Sequence, residues 1–107
     1  MKKFIYSNEC ARTLKAMADD TRLLILQSLF EGEKCGTELA RKLNLTQPHV
    51  AHHLGILKNA ALVESERTGQ KVCYRLHPAV RDSIEQNEQM TIDLGCCKMV
   101  FKEGAGS

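Results

Sequence analysis

The chain has 107 residues and a formal net charge of +2 at pH 7, a length that suits one domain with a modest core. No run approaches the roughly 18 apolar residues of a membrane-spanning helix, and Met-Lys-Lys lacks a following apolar region, so no signal peptide is expected. Five cysteines without a secretory signal read as reduced thiols of a cytoplasmic protein and not as a disulfide scaffold, and the absence of tryptophan disfavours a stacking platform for single-stranded nucleic acid.

Ser7 or Asn8 can cap a first helix over about 7–18, in which Cys10, Leu14 and Met17 form an apolar stripe. Asp19 and Asp20 cap a second helix, Thr21 to about Glu31, and put negative charge where the helix dipole favours it. Leu23, Leu24, Ile25, Leu26, Leu29 and Phe30 make that helix apolar on nearly every side, as a central buried helix should be. Gly32 ends it, and the loop to Gly36 carries Cys35.

Residues 37–58 read as two short helices joined by a tight turn. Leu39 and Leu43 mark the first, Asn44 breaks the pattern, and Leu45 closes the corner. Thr46 is a good N-cap, and Pro48 suits the first turn, where its missing N–H costs nothing. Val50, Leu54 and Leu57 form a buried stripe, and at about 100° per residue Pro48, His49, His52 and Ile56 fall on the opposite face. This is a helix-turn-helix pattern, although an αα-corner of any small helical protein fits it as well.

The next segment separates the two readings. Within 62–76, Leu62 to Arg67 and Val72 to Leu76 are β-rich runs flanking Thr68-Gly69-Gln70-Lys71, a hairpin with glycine in its turn. A helix-turn-helix followed by a basic hairpin is a winged helix: mainly α with a β-hairpin (α+β), suited to duplex DNA. Pro78 then opens a last helix over about 78–99, polar in its first half (RDSIEQNEQ) and suited to a surface or a partner subunit. Gly95 weakens it just before Cys96 and Cys97, and residues 102–107 form a frayed tail.

The candidate DNA face combines two kinds of residue. Arg41, Lys42 and Lys58 flank the helix-turn-helix, while Arg67, Lys71 and Arg75 lie on the wing; together they can neutralise phosphates. Thr46, Gln47, His49 and His52 lie at the start or outward face of the second helix, and glutamine is suited to the N6 and N7 edge of adenine. For each basic residue the competing reading is a solvated surface charge. His53 lies beside the apolar stripe and reads as a packed histidine, and His77 serves the start of the last helix.

The phrases MADDTRLLILQSL, ELARKLNLTQPHVAHHLGILKNAALV and GQKVCYRL resemble the ArsR/SmtB family of metal-sensing bacterial repressors over roughly Leu14 to Leu76. The resemblance implies a cytoplasmic homodimer held by its first and last helices. It also implies binding to a palindromic operator and release of the DNA when a metal or other inducer binds. Thr46 and Gln47 match the family's polar opening of the second helix of the motif, and His53-Leu54 its usual His-Leu pair.

The inducer reading rests on the cysteines. Vicinal thiols such as Cys96-Cys97 are poorly placed for a relaxed disulfide but can coordinate one soft ion. The phrase LGCCKMVF resembles arsenic-sensing members with a vicinal pair in the last helix, which implies arsenite or antimonite held by thiolates. Cys10 is the candidate third ligand, with a core position as its equal alternative. Cys35 falls where many members have the first cysteine of a Cys-x-Cys site, but Thr37 leaves that site incomplete, and Cys73 in its strand reads as structural. The family's zinc-type and cysteine-rich cadmium/lead sites have no ligands here. A thiol-redox or persulfide switch using a pair among Cys10, Cys35, Cys96 and Cys97 is the alternative. An enzyme is disfavoured, because no loop cradles a phosphate and the histidines belong to the DNA-reading helix; a protein-interaction module docking through the polar last helix is the remaining rival.

Overall fold

The computed structural model describes residues 8–82, 84–86, 90–93 and 97–101. Its elements run α1 (Asn8–Met17), α2 (Asp20–Phe30), β1 (Lys34–Cys35), α3 (Gly36–Leu43), α4 (Gln47–Asn59), β2 (Val63–Thr68), β3 (Lys71–Leu76), α5 (Pro78–Asp82), β4 (Ile84–Gln86), β5 (Met90–Asp93) and β6 (Lys98–Phe101). Two antiparallel sheets form, one in the order β1-β3-β2 and one in the order β4-β5-β6.

Short-range chemistry sets the helix ends. The Asp19 carboxylate accepts from the Arg22 N–H at 3.1 Å and caps α2. Thr46 Oγ1 accepts from the His49 N–H at 3.3 Å and caps α4, with Pro48 in the first turn. Asn44 ends α3 in the left-handed region (φ 57, ψ 48), which asparagine tolerates better than most residues, and the Leu45 N–H then donates to Ala40 O. These contacts turn the chain sharply between α3 and α4. The wing closes through the two-residue loop Gly69-Gln70, with Thr68 opposite Lys71 and Gly69 at φ 64. Positive φ at the first central residue is the hairpin turn that glycine makes accessible.

One core unites these elements. Met17, Ile25, Leu26, Leu39, Val50, Leu54, Leu57, Leu62 and Val63 are each at most 1% exposed. Val50, Leu54 and Leu57 lie on one side of α4 and turn the other side outward. Two expectations about individual residues need correction. Leu24 is 49% exposed, so α2 buries one side and not its whole circumference. Ile56, expected on the outward face of α4, is half-buried.

The larger correction concerns the last element. A helix over about 78–99 is expected from the sequence, yet α5 stops at Asp82 and antiparallel strands follow. Two-residue alternation explains the difference: along β6, Lys98 and Val100 are exposed while Met99 and Phe101 are half-buried. Phe101 meets Phe30 of α2 edge-on, with ring centroids 5.2 Å apart. Ile92 of β5 is fully buried in the main core. Met90, Ile92 and Leu94, and again Met99 and Phe101, recur at a period of two in the sequence, and the β-branched and aromatic residues among them favour strands. No helix among the described residues is long and apolar enough to cross a membrane.

The cysteines also depart from the reduced-thiol expectation. β1, which the sequence reading does not include, pairs with β3 in a register that sets Cys35 opposite Cys73, and the two are joined as a disulfide.

Candidate nucleic-acid interface

The outward side of α4 follows from its buried side. Because Val50, Leu54 and Leu57 anchor the helix, Gln47, His49 and His52 are exposed, with Thr46 exposed at the cap. The wing stands next to this helix. A cleft of about 420 Å³ separates them, lined by Gln47, Pro48 and Ala51 on α4 and by Gln70, Lys71 and Tyr74 on the hairpin. The cleft sets the polar Gln47 of the helix and the cationic Lys71 of the adjacent ribbon on its two walls, a combination suited to a duplex groove and its phosphates.

The six basic candidates divide in two. Arg41, Arg67 and Lys71 are exposed and take part in no ion pair among the described residues. The other three have internal partners. Lys42 pairs with Glu31 at 2.7 Å, and this ammonium holds the Glu31 carboxyl below the usual carboxylate range. Lys58 donates to Ser65 Oγ at 2.8 Å, joining α4 to β2. Arg75 is drawn furthest inward: its guanidinium meets Glu64 at 2.6 Å, Glu66 at 2.9 Å and Glu33 at 3.7 Å. Hydrogen bonds to Glu66 and Glu64 push its pKa up, and three carboxylates leave no net positive charge there for a phosphate. Arg75 braces the wing against the loop after α2.

His53 is a packed residue, only 7% exposed. Its Nδ1 accepts from Arg22 Nη1 at 3.1 Å; an arginine only donates, so this nitrogen carries no proton. The same Arg22 donates through Nε to Ala16 O at 2.5 Å and lies 3.9 Å from Asp19. Burial holds the His53 pKa below its usual value despite the nearby Asp19 carboxylate. The Arg22 N–H donating to Asp19 likewise lowers the pKa of that carboxyl. The group ties the end of α1 and the start of α2 to the buried side of α4. Arg22 is absent from the sequence reading, because a lone arginine inside an apolar run gives no sign of its partners.

The thiols sit in two places. Cys97 is a half-buried free thiol immediately before β6, Cys10 is half-buried on α1 and is disulfide-bonded, and Cys96 lies outside the described residues. Among the described residues no group of three or more His, Cys, Asp or Glu is placed to hold a metal ion. Cys73, read from sequence as structural, is the residue brought against Cys35. Only the unseen β1 strand would have disclosed that pairing. His77 Nδ1 accepts from the Ala79 N–H at 3.1 Å, as expected of a residue serving the start of α5.

Residues 19–65 match the family model described as bacterial regulatory protein, arsR family. The chain is 35% identical over 98 residues to an arsenical resistance operon repressor of Staphylococcus xylosus, covering 90% of this chain and 94% of that protein. It is 40% identical over 80 residues to the arsenic resistance transcriptional regulator ArsR1 of Pseudomonas putida, covering 74% of this chain and 62% of that relative's length. Among solved structures it is similar to the homodimeric winged helix-turn-helix DNA-binding domain Mb0332 of Mycobacterium bovis, a possible ArsR-family transcriptional regulator. That match has a TM-score of 0.64 and 33% identity and covers 65% of each chain.

Proposed function

This chain belongs to the ArsR family of bacterial regulatory proteins, a family of transcriptional regulators and not of enzymes, and from that premise we propose that it is a metalloid-responsive repressor. It binds operator DNA as a homodimer in the cytoplasm and is released when arsenite or antimonite binds to cysteine thiolates. The observation that carries the DNA-binding part is the division of α4. One side is closed into the core, and the other exposes Gln47, His49 and His52, with Gln47 facing the exposed Lys71 of the wing across one cleft. Gln47 and the two histidines read base edges, while Arg41, Arg67 and Lys71 neutralise phosphates, with Thr46, Lys42 and Lys58 contributing at the rim. Arg75 acts on the shape of the wing instead of on phosphate.

The inducer part is supported by the arsenical-resistance relatives and by donor chemistry. Trivalent arsenic takes soft thiolates, and Cys97 offers a free thiol. Cys96 and Cys97 supply two sulfurs, and Cys10 supplies the third once reduced; each thiol exchanges for one hydroxide of the arsenite, releasing water. Bringing α1 and the C-terminal segment around one ion alters the contact between subunits. The chain Ala16, Arg22, His53 offers a physical route from the end of α1 to the recognition helix. The coupling needed is modest, about 1–3 kcal/mol per site, or roughly 5–150-fold in operator affinity.

Fluorescence anisotropy of the reduced protein on its promoter DNA, titrated separately with arsenite, antimonite, zinc and cadmium, tests the proposal. Release by arsenite or antimonite alone is expected, and Cys97→Ser should keep operator affinity while losing that response. Failure to bind any promoter fragment would overturn the repressor reading; normal arsenite release from Cys97→Ser would overturn the site.

A further inference from the structure

The metalloid proposal leaves two cysteines unused, and they lie together. β1 is only two residues long, yet its register with β3 places Cys35 directly opposite Cys73, with Cα atoms 3.8 Å apart and the sulfurs joined. The residues are 38 apart in sequence, so the link encloses α3, α4 and β2, the helix-turn-helix together with the outer strand of the wing. Both residues are half-buried and neither is closed off in the core. Cys35 is also the N-cap of α3, and its own N–H donates to Glu38 Oε1 at 3.1 Å.

We propose that Cys35 and Cys73 form a reversible dithiol–disulfide lock, closed by peroxides, that holds the helix-turn-helix to the wing and keeps the protein competent to bind DNA under oxidation. The Cys35 thiolate attacks one peroxide oxygen and breaks the O–O bond, giving a sulfenic acid and, after protonation of the leaving oxygen, water. The Cys73 thiol then attacks the sulfenic sulfur and a second water leaves. Two thiols and one hydrogen peroxide become one disulfide and two waters, the sulfurs losing the two electrons that the peroxide gains. A dithiol reductant opens the bond by exchange and is itself oxidised to a disulfide. The oxidised protein retains the β1-β3-β2 sheet described above, so closing the lock preserves the relation of wing to α4. Where metalloid binding releases DNA, the lock leaves operator binding in place, and it stands independently of the metalloid site.

The experiment uses the full chain with Cys10, Cys96 and Cys97 all replaced by serine, so that Cys35 and Cys73 are the remaining thiols. The reduced protein is treated with hydrogen peroxide, then alkylated, and followed by peptide mass mapping, thermal unfolding and operator anisotropy. The expected result is a Cys35–Cys73 cross-linked peptide, a melting temperature higher by several degrees, and unchanged operator affinity, all reversed by a dithiol reductant. Cys73→Ser in the same background should lose the cross-link and the thermal shift, and Cys35→Ser is the second variant should the first fail to fold. Both thiols still open to alkylation after peroxide, cross-linking between chains in place of within one, or release of DNA on oxidation would each overturn the proposal.

Discussion

The segment from α2 to β3 and the segment after Leu76 obey different rules. In the first, the signals that shape the chain lie within a few residues of the structure they produce. Asp19 caps α2, Asn44 turns the corner, Thr46 caps α4 and Gly69 closes the wing. In the second, the sequence RDSIEQNEQ carries no apolar stripe of helical period and no strong stop, so local signals do not fix an element there. β6 alternates with Met99 and Phe101 inward, and Phe101 lies against Phe30 from the other end of the chain. Local signals specify an element when they agree with one another; where they are weak, tertiary contacts decide.

The largest expected effects lie in the core. Leu57 of α4 and Ile92 of β5 are both 0% exposed and share one cluster. Leu57→Ala should cost about 2–5 kcal/mol, the range for truncating a buried aliphatic side chain, and Ile92→Ala should cost a similar amount. Chemical denaturation of both variants reads this. A large loss at Leu57 with none at Ile92 would mean that the second sheet does not belong to the core.

That pair also marks what could be read in advance. The stripe Val50, Leu54, Leu57 repeats at helical spacing, and the exposure of Gln47, His49 and His52 followed from it. Ile92 alternates with Met90 and Leu94, but that short period-two pattern follows the polar run RDSIEQNEQ and does not by itself assign Ile92 to the core. The candidate site divides in the same way. Exposure of Arg41, Arg67 and Lys71 follows from local pattern, whereas the capture of Arg75 by Glu33, Glu64 and Glu66 requires two strands and a loop to meet. The pairing of Cys35 with Cys73 was hidden for a related reason, since a two-residue strand carries no periodicity to detect.

His53 carries the next largest effect. Its pKa is held below the ordinary histidine value by burial, and its Nδ1 must stay unprotonated to accept from Arg22. The unfolded chain then binds the proton more readily than the folded one. Stability from this group is present above the unfolded value, near 6.5, declines as pH falls through it, and levels off below the folded value. His53→Ala should cost about 1–3 kcal/mol at neutral pH by leaving an arginine donor without its partner. It should also flatten the loss of stability between neutrality and mild acid, measured by denaturation at several pH values. An unchanged pH slope in the variant would assign the acid sensitivity to other groups.

On the DNA face the contrast is between Lys71 and Arg75, five residues' worth of hairpin with opposite environments. Lys71→Ala should weaken operator binding uniformly and reduce the slope of log affinity against log salt by about 0.9. Arg75→Ala should leave that slope unchanged while lowering wing stability, because its charge is already matched by carboxylates. Anisotropy titrations at several salt concentrations separate the two. A reduced slope for Arg75→Ala would show that the guanidinium turns outward on DNA.

The smallest effect tests whether local signals are optimal even where they succeed. Two non-glycine residues among those described have positive φ, Asn44 at the end of α3 and Ala61 just after α4, both at 57. Ala61 lies in a helix-ending turn: its N–H donates to Lys58 O and the Leu62 N–H donates to Leu57 O, each at 3.0 Å. An alanine Cβ in this region costs roughly 1–2 kcal/mol. Glycine removes that cost but adds about 0.4–1 kcal/mol of unfolded-chain entropy. Ala61→Gly should therefore stabilise the protein by about 0.5–1 kcal/mol, which thermal unfolding would register as a rise of a few degrees. Asn44→Gly should gain only a few tenths of a kcal/mol, since asparagine already tolerates the conformation. Equal gains at both sites would show that the backbone strain at Ala61 is relieved by neighbouring contacts, and that the turn into the wing is held by Leu62 in the core and not by the residue at its bend.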